Sequence, residues 1–437
     1  MQCPKYILDI LKTYNENGYE AYVVGGSVRD SLLGKECHDY DITTNALPEK
    51  TLELFEHCAP TGLKHGTVTI LSEEAVEVTT YRSESSYKDH RHPDTVKFVT
   101  TLEEDLARRD FTINAIAYHP DLGIVDPYHG QVDLENKVIR CVGNPNQRFE
   151  EDALRMMRAY RFCAQLDFQL DSKTKQAIKE NQALIQCISI ERIRDELIRI
   201  LQMNPYVVEQ MVDLLEPIIP ELKRSLECEQ NSPWHYCNVL HHSLRAIKEM
   251  QHFDSTIAFT LLFHDLGKPE TKTTDVNGRD HFNGHPEASF RIAKRICKEL
   301  KLTSLQQKEI PLLVFHHENW LYPKLENVYY FRIALGWSDE MLRKLIEVRR
   351  CDILAHSKKG QKTLIQIFAY RDLYNKCVLN RPMSLKDLAI DGHDVIENTS
   401  YSGKEIHEVL EECLKMCFYD PYRNRKEYLI KYIKNAS

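Results

Sequence analysis

The chain has 437 residues, a length that predicts two to four domains rather than one compact core. Its 42% hydrophobic and 28% charged content is that of an ordinary soluble protein, and no run of eighteen apolar residues predicts a membrane span. The net charge of −8 disfavours nucleic-acid binding as a bulk property, so a polyanion would have to bind local basic patches. The thirteen cysteines form no Cys-x-x-Cys pair, which favours reduced thiols in a cytoplasm over a disulfide framework or a zinc–cysteine site.

The first predicted element is an amphipathic helix over residues 1–20, whose scattered charges are not those of a signal peptide. A short apolar strand then leads into Gly25 and Gly26, where the backbone can approach a polyphosphate because no side chain intervenes. A helix carrying Arg29 follows, and the N–H groups at its start can face an anion. This order of elements predicts a phosphate-binding turn.

The next predicted strand bears Asp39 and Asp41, which point to the same face because side chains alternate along a strand. Two carboxylates on one face can hold hard divalent cations such as Mg²⁺. Either motif alone is more often a plain turn or a solvated strand end, but their order within nineteen residues indicates metal-dependent nucleotidyl transfer. The segment resembles the signature of the polymerase-β-type nucleotidyltransferases. More narrowly, it resembles the class II group of CCA-adding tRNA nucleotidyltransferases and bacterial poly(A) polymerases.

A helix beginning near Pro48 is followed by KHGTVTILSEEAVEVTTYR, residues 64–82, in which period-2 alternation predicts two strands joined at Ser72–Glu74. Glu77 on the second strand is a candidate third carboxylate for the metal pair. A solvent-facing strand glutamate is an equally good interpretation of that residue.

Residues 83–98 are polar, rich in turn residues and without periodicity, which predicts a mobile loop. The segment is similar to the flexible loop of CCA-adding enzymes, and that resemblance implies the complete CCA activity, because CC-only relatives lack the loop. The residues that carry this resemblance are Tyr87, Asp89, Arg91, Pro93, Val96 and Phe98. The next stretch, residues 102–118, resembles another family motif, which implies that Arg109 contacts the nucleotide while Asp110 and Asn114 hold the local geometry.

Residues 148–166, RFEEDALRMMRAYRFCAQL, are predicted to form one amphipathic helix. Asp152, Arg155, Arg158 and Arg161 recur along it at intervals of three and form one slowly winding stripe. The apolar residues off this stripe are expected to pack inward: Leu154, Met157 and Phe162. A solvated basic face is the simpler interpretation of the stripe, but its chemistry suits nucleotide binding.

Asp152 and Arg155 can select bases by hydrogen-bond polarity. Cytosine and adenine present an amine donor beside a ring-nitrogen acceptor, whereas uracil and guanine present the reverse. A carboxylate only accepts and a guanidinium only donates, so the pair matches C and A and leaves groups unpaired against U and G. The resemblance implies that this pair is the amino-acid template and that Arg158 and Arg161 bind the triphosphate. The sequence Glu-Asp-Ala-Leu-Arg is closer to CCA-adding enzymes than to poly(A) polymerases.

Apolar residues at helical spacing predict helices over residues 170–228, which resemble the neck and body that support a tRNA acceptor arm. Residues 235–355 then hold histidines and aspartates in an order that suits a metal-dependent phosphohydrolase, in which imidazoles and carboxylates ligate cations. The order matches the HD phosphohydrolase superfamily, with Lys268 completing His-Asp-x-Gly-Lys. His316 could replace His317 in this set, and spacing favours His317. The candidate ligands of an unidentified divalent metal are His242, His264, Asp265, His285, His317 and Asp352.

The predicted fold class is an α/β polymerase-β-type head followed by an all-α neck, body with HD domain, and tail. The predicted domains are a catalytic head at 1–138, a base-recognising neck at 139–205, an HD body at 206–360 and a tRNA-binding tail at 361–437. The resemblance implies addition of C, C and A to tRNA from CTP and ATP with two Mg²⁺ ions, without a membrane or an obligate protein partner. Partial CC or A addition, a poly(A) polymerase and an HD phosphohydrolase with a degenerate head remain alternatives.

Overall fold

The computed structural model describes residues 1, 3–85, 95–319 and 321–436. The chain divides into two compact units, Met1–Lys223 with Glu299–Lys301, and Arg224–Lys298 with Leu302–Ser437. Across the described ranges, no helix has both the length and the apolar character needed to cross a membrane. The finer division into head, neck, body and tail remains a prediction.

The first unit is built on a seven-stranded mixed sheet with the strand order β3-β4-β5-β2-β1-β8-β9. Strands β2 and β5 pair in parallel, and the other neighbours pair antiparallel. The predicted hairpin is confirmed, because β4 and β5 pair across the turn at Ser72–Glu74. The strands of this sheet are β1 Ala21–Val24, β2 Asp41–Thr44, β3 Cys58–Gly62, β4 Thr67–Leu71, β5 Ala75–Thr80, β8 Ala117–His119 and β9 Gly123–Val125.

Helices flank this sheet and continue beyond it. Strand β1 is buried along its whole length, which places its apolar residues in the core with Leu102, Leu106 and Ala115. The predicted N-terminal helix and the helix at Pro48 are confirmed, over Lys5–Glu16 and Pro48–Leu54. The helices up to the unit boundary are α1 Lys5–Glu16, α2 Gly26–Leu32, α3 Pro48–Leu54, α4 Leu102–Ala107, α5 Gly130–Glu135, α6 Pro145–Glu151, α7 Leu154–Leu166, α8 Ser172–Asn181, α9 Ile190–Met203, α10 Val212–Leu215 and α11 Pro220–Leu226.

The prediction of one continuous helix over 148–166 is wrong, because the chain leaves the helix at Asp152. That residue is extended, with φ −137° and ψ 102°, and it separates α6 from α7. Its side chain accepts a hydrogen bond from the backbone N–H of Leu154 at 3.0 Å. Aspartate favours such local bonds at helix starts over a place inside a helix. Asp152 is therefore not one helical turn from Arg155 on a shared helix.

The predicted strand bearing both Asp39 and Asp41 is also wrong in extent, since β2 begins at Asp41 and Asp39 precedes it. Val24 of β1 pairs with Asp41 as the last step of the ladder, and β1 then turns away at Gly25. Asp39 therefore has no partner in β1 with which to extend the strand.

The segment predicted as a loop over 83–98 is partly regular. Strands β6 (Arg82–Ser85) and β7 (Thr95–Phe98) pair antiparallel as a separate two-stranded sheet. Backbone hydrogen bonds alone make such a ladder, so the polar side chains that suggested a loop do not prevent it. Of the loop residues that carry the family resemblance, Val96 and Phe98 lie on β7. The others lie outside the described residues: Tyr87, Asp89, Arg91 and Pro93.

The second unit is helical, and the predicted fold class is confirmed. Two short strand pairs add to the helical part of the chain: β10 (Val138–Ile139) with β11 (Gln169–Leu170), and β12 (Thr273–Thr274) with β13 (Asp280–His281). The last three helices have an apolar core of their own. The remaining helices are α12 Val239–Lys248, α13 Ser255–Phe263, α14 Lys268–Thr271, α15 His285–Glu299, α16 Ser304–His316, α17 Leu325–Tyr329, α18 Asp339–Ala355, α19 Leu364–Asn380, α20 Gly392–Asn398, α21 Lys404–Tyr419 and α22 Lys426–Ala436.

Candidate active site

The turn between β1 and α2 requires a glycine at position 25. Gly25 has φ +75°, a backbone conformation that residues with a Cβ adopt only at a cost. A Cβ there would lie 3.2 Å from Nη1 of Arg109 and 3.6 Å from Oδ2 of Asp41. The missing side chain therefore leaves room between a guanidinium and a carboxylate, as the Gly-Gly pattern predicts for a phosphate-binding turn.

A chain of polar contacts joins α2 to α7. Nη1 of Arg29 donates to Oδ1 of Asn114 at 2.8 Å, and Nδ2 of Asn114 donates to Oδ1 of Asp110 at 3.1 Å. Nε of Arg158 donates to Oδ2 of Asp110 at 2.8 Å. Burial alone would raise the pKa of Asp110, but the Arg158 guanidinium and its hydrogen bonds lower that pKa to about 2. The prediction that Asp110 and Asn114 hold the local geometry is confirmed.

The carboxylates of the head meet at the edge of the sheet. Asp41 is directly opposite Glu77 in the parallel pairing of β2 with β5, so their side chains emerge on the same face. The Asp41 side chain is open to solvent but lies in a concave, crowded part of the surface. Loss of hydration there raises its pKa, Arg109 lowers it, and Glu77 and Asp39 raise it further. Carboxylates grouped in this way are a suitable donor set for a hard divalent cation.

Three arginines, two from α7 and one from α2, surround one aromatic ring of α7. The guanidinium carbons of Arg161, Arg29 and Arg158 lie 4.2, 5.4 and 5.6 Å from the ring centre of Phe162. These distances are typical of cation–π contacts, which hold guanidinium planes in place without using their outer N–H donors. Phe162 is buried, as the sequence predicted, but it also lines the cavity, a role that the sequence did not indicate.

Asp152 and Arg155 are each held by a different neighbour. Arg192 donates to both oxygens of Asp152, at 3.1 and 3.4 Å. Nη1 of Arg155 donates to Oε2 of Glu151 at 2.7 Å, and its Nη2 donates to the Arg108 carbonyl at 3.1 Å. A donor thus faces Asp152 and an acceptor faces Arg155, which is the polarity of the cytosine and adenine edges. Neither Arg192 nor Glu151 was predicted as a site residue, because their pairing depends on how α6, α7 and α9 pack.

These groups line one cavity of about 820 Å³. All the predicted residues of the head and neck border it except Glu77, which lies beside it next to Asp41. Its lining residues from the predicted set are Gly25, Gly26, Arg29, Asp39, Asp41, Arg109, Asp152, Arg155, Arg158 and Arg161. A cavity lined by both carboxylates and arginines can bind a polyphosphate together with a cation.

The second unit brings the predicted HD residues together around two aspartates. Nε2 of His264 lies 3.1 Å from Oδ2 of Asp265, and Nε2 of His285 lies 3.2 Å from Oδ1. Nε2 of His317 lies 3.6 Å from the same Oδ1. His242 lies 2.9 Å from Oδ1 of Asp352. All six side chains are buried, so the order found in the sequence does correspond to one cluster.

The imidazole nitrogens and carboxylate oxygens of this cluster face one another at short distances, and Nζ of Lys268 also lies 2.7 Å from Oδ2 of Asp265. Imidazole nitrogens and carboxylate oxygens that converge in a buried space are the donor set of a site that holds cations. Neighbouring histidines and Lys268 outweigh burial and hold the pKa of Asp265 well below its usual range, which keeps it an anionic ligand. Burial lowers the pKa of His317, which keeps it a neutral ligand.

His316 does not belong to this cluster. Its ring packs edge-on against Phe331 and Trp337, at centroid distances of 5.6 and 5.2 Å. His316 is therefore a core residue. This arrangement favours His317 over His316 as the candidate ligand.

The first unit has the mixed sheet of a polymerase-β-type nucleotidyltransferase head, and the second holds a buried cluster of histidines and aspartates. Three family models match the chain in succession. Residues 21–140 match the Poly A polymerase head domain, and residues 167–226 match the probable RNA and SrmB-binding site of polymerase A. Residues 235–364 match the HD domain. The chain therefore carries a poly(A) polymerase-type head, an RNA-binding segment and an HD domain in that order.

Curated relatives match the chain over part of its length. It is 55% identical over 193 residues to the CCA-adding enzyme of Lactobacillus helveticus, a match that covers 44% of this chain and 48% of that protein. The chain thus spans about half the length of the curated relatives it matches.

Solved structures match over nearly the whole chain. The CCA-adding enzyme of Bacillus stearothermophilus in complex with CTP aligns with a TM-score of 0.71 and 27% identity, covering 100% of this chain and 98% of that one. The Thermotoga maritima CCA-adding enzyme complexed with tRNA shares the fold, with a TM-score of 0.62 and 20% identity over 99% of this chain and 96% of that one. The whole chain therefore has the fold of these enzymes.

Proposed function

We propose that this protein is a CCA tRNA nucleotidyltransferase that adds C, C and A to the 3′ end of tRNA from CTP and ATP without a nucleic-acid template. The observation that carries this proposal is the shared cavity that brings Asp39 and Asp41 together with Asp152 and Arg155. A site for the transfer chemistry and a candidate site for base selection thus border one space. The similarity to enzymes named CCA-adding, one of them solved with CTP, supports the same function.

In the proposed reaction, the tRNA 3′-oxygen attacks the α-phosphorus of CTP or ATP in line. The new bond joins that oxygen to phosphorus, the bond from phosphorus to the bridging oxygen breaks, and pyrophosphate leaves. Arg29, Arg158 and Arg161 would hold the triphosphate, since guanidinium groups bind phosphate oxygens in a fixed fork geometry. Arg109 would contact the nucleotide beside Gly25, where the absent side chain gives it access.

Asp39 and Asp41 would hold two Mg²⁺ ions, with Glu77 as a third carboxylate beside them. Bound there, the ions would activate the attacking oxygen and offset the charge of the leaving group. The fit rests on the donor set, because carboxylate oxygens at the cavity wall are the ligands that Mg²⁺ prefers.

Asp152 and Arg155 would read the base edge through their remaining hydrogen-bond capacity. The base amine would donate to the Asp152 carboxylate, which Arg192 keeps in position, and the ring nitrogen would take the place of Glu151 at the guanidinium. UTP and GTP would leave both groups facing a partner of the wrong polarity, and unpaired polar groups give strong discrimination.

Substitution of a single carboxylate tests this assignment. Asp41→Ala is expected to abolish nucleotide incorporation into a tRNA that lacks its 3′ end, because it removes a cation ligand. Asp9→Ala is the matched control, since Asp9 is an exposed carboxylate on α1 outside the cavity. Full activity of Asp41→Ala would overturn the proposed site.

We propose a second function for the HD cluster, metal-dependent phosphohydrolysis, which the buried convergence of histidines and aspartates around Asp265 favours. Asp265→Ala should remove hydrolysis of p-nitrophenyl phosphate and of its bis-ester, and should leave CCA addition intact. Asp41→Ala should have the opposite effect. Loss of both activities in either variant would contradict this division of labour.

We assign these roles to the four predicted domains. The tRNA would be held by the helical residues beyond 138 and by the tail. The match of residues 167–226 to an RNA-binding family supports this placement. The cysteine usage of the sequence supports a cytoplasmic location for the protein.

A further inference from the structure

Two histidines outside the six HD residues face the same region of the second unit. His235 and His356 border a cavity of about 300 Å³ together with Asp265 and Asp352. His356 follows α18, four residues after Asp352, and its Nε2 lies 3.5 Å from Oδ1 of Asp352. Nε2 of His242 lies 2.9 Å from that same oxygen. One carboxylate oxygen therefore faces imidazoles from both sets.

The rings of His235, His242 and His356 form a compact group. His356 stacks on His242 with ring centres 5.1 Å apart and planes 11° apart. His235 stands edge-on to both rings, with centres 4.8 and 4.7 Å away and planes at 85°. One ring nitrogen from each of the three histidines lies within 4.8 Å of the other two. A single ion between them could contact all three.

One of these rings has a nitrogen free to bind a ligand. Nδ1 of His235 is within hydrogen-bond distance of the Ser232 hydroxyl at 3.1 Å, whereas its Nε2 is buried and unpaired within the described residues. The His242 side chain is only 1% exposed, and its Nε2 faces Asp352, the carboxylate of the same group. Buried ring nitrogens normally have a partner, and a cation would supply one.

We propose that His235, His242 and His356, with Asp352 as the carboxylate ligand, form a metal position additional to the HD residues. Three imidazoles and one carboxylate suit Zn²⁺, Fe²⁺ or Ni²⁺, whereas Mg²⁺ prefers an all-oxygen shell. The inference rests on the proposed HD centre, because the two share His242 and Asp352.

His235 and His356 are the ligands that belong to this position alone. A neutral imidazole has one acceptor nitrogen, so His242 serves either this position or the neighbouring one with His264 and Asp265. Loss of His235 or His356 should therefore remove the additional ion and leave the neighbouring position with its full set of ligands.

The test is metal binding by the full chain with Co²⁺ as the probe. The protein is stripped with a chelator, titrated with Co²⁺, and measured by visible absorption and by elemental analysis. His356→Gln and His235→Gln are each expected to bind one fewer tight Co²⁺ per chain than the wild type. His252→Gln is the matched control, because His252 is an exposed histidine of the same unit, and it should bind as the wild type does. Equal Co²⁺ binding by the wild type and both cavity variants would overturn the proposal.

The Asp265→Ala variant distinguishes failure of the additional metal position from failure of the proposed HD centre. If Asp265→Ala binds as much Co²⁺ as the wild type, the proposed HD centre fails, whatever the His356 variant does. The additional position keeps all its ligands in Asp265→Ala, so X-ray absorption of that Co²⁺-loaded variant should show a shell dominated by imidazole nitrogens. A shell without imidazole would overturn the additional position even if the histidine variants failed to fold.

Discussion

Replacement of Asp110 by asparagine removes one negative charge from the buried contact with Arg158 and keeps the size of the side chain. The wild-type carboxylate has a pKa of about 2, against 3.8 for an unperturbed aspartate. At 1.36 kcal/mol per pKa unit, that difference corresponds to about 2 kcal/mol of stability at neutral pH. Asparagine still offers an oxygen to the backbone N–H of Phe111 and to Asn114, so the expected loss is confined to the contact with Arg158.

The pH dependence of this loss has a definite sign. Because the folded-state pKa of Asp110 is depressed, its contribution is fully present above about pH 4 and disappears as the pH falls towards 2. The difference between wild type and Asp110→Asn should therefore be constant from neutral pH down to about 4 and shrink below it.

Hydrogen exchange is the suitable assay, because it reports separately on the segments that carry Asp110 and Arg158. Peptides from residues 102–119 and 154–166 should lose about 2 kcal/mol of protection in Asp110→Asn at pH 7. Asp9→Asn, which changes an exposed carboxylate, should lose none. Unchanged protection in Asp110→Asn, or a loss that persists at pH 2, would refute this reasoning.

Three further predictions follow from the cavity. Gly25→Ala and Gly18→Ala should each lower the unfolding free energy by about 1–2 kcal/mol, because φ is +75° at Gly25 and +79° at Gly18. Only Gly25→Ala places a Cβ 3.2 Å from Arg109, so only this variant should also lower kcat/KM. Equal activity of the two variants would contradict the phosphate-turn assignment. Arg192→Ala removes the contact that holds Asp152 and should reduce the ratio of kcat/KM for CTP to kcat/KM for UTP. The unfolding free energy should change by less than about 1 kcal/mol. An unchanged ratio would show that Arg192 has no part in positioning Asp152. EDTA should stop nucleotide incorporation, and added Mg²⁺ should restore it, whereas activity in EDTA would exclude the proposed ions.

The sequence predicted those parts of the fold that depend on local pattern. Alternation predicted β4 and β5, the Gly-Gly turn predicted the close approach at Gly25, and the histidine spacing predicted the HD cluster. The strands and the turn each depend on a short stretch of sequence, and the HD residues follow a recognisable order, so the sequence alone is enough to predict them.

What the sequence missed depends on contacts between distant segments. The break at Asp152 arises because its side chain bonds the Leu154 N–H, which a count of three-residue intervals does not reveal. Arg192 reaches Asp152 from 40 residues away. His235 and His356 join His242 only because the chain between them folds back. The signal in the sequence for this break is Asp152 itself, because aspartate is a common residue just before the start of a helix.

The polarity of the Asp152 and Arg155 surroundings is the central physical claim, and it is tested by the identity and order of nucleotides added. The full chain is incubated with a tRNA lacking its 3′ end and with each labelled nucleotide singly and in pairs, and the products are separated at single-nucleotide resolution. CTP alone is expected to add two residues, CTP with ATP to add one further A, and UTP and GTP to add none. A single A with ATP alone would indicate an A-adding enzyme, a long A tail would indicate a poly(A) polymerase, and incorporation of UTP or GTP would contradict the proposed base selection.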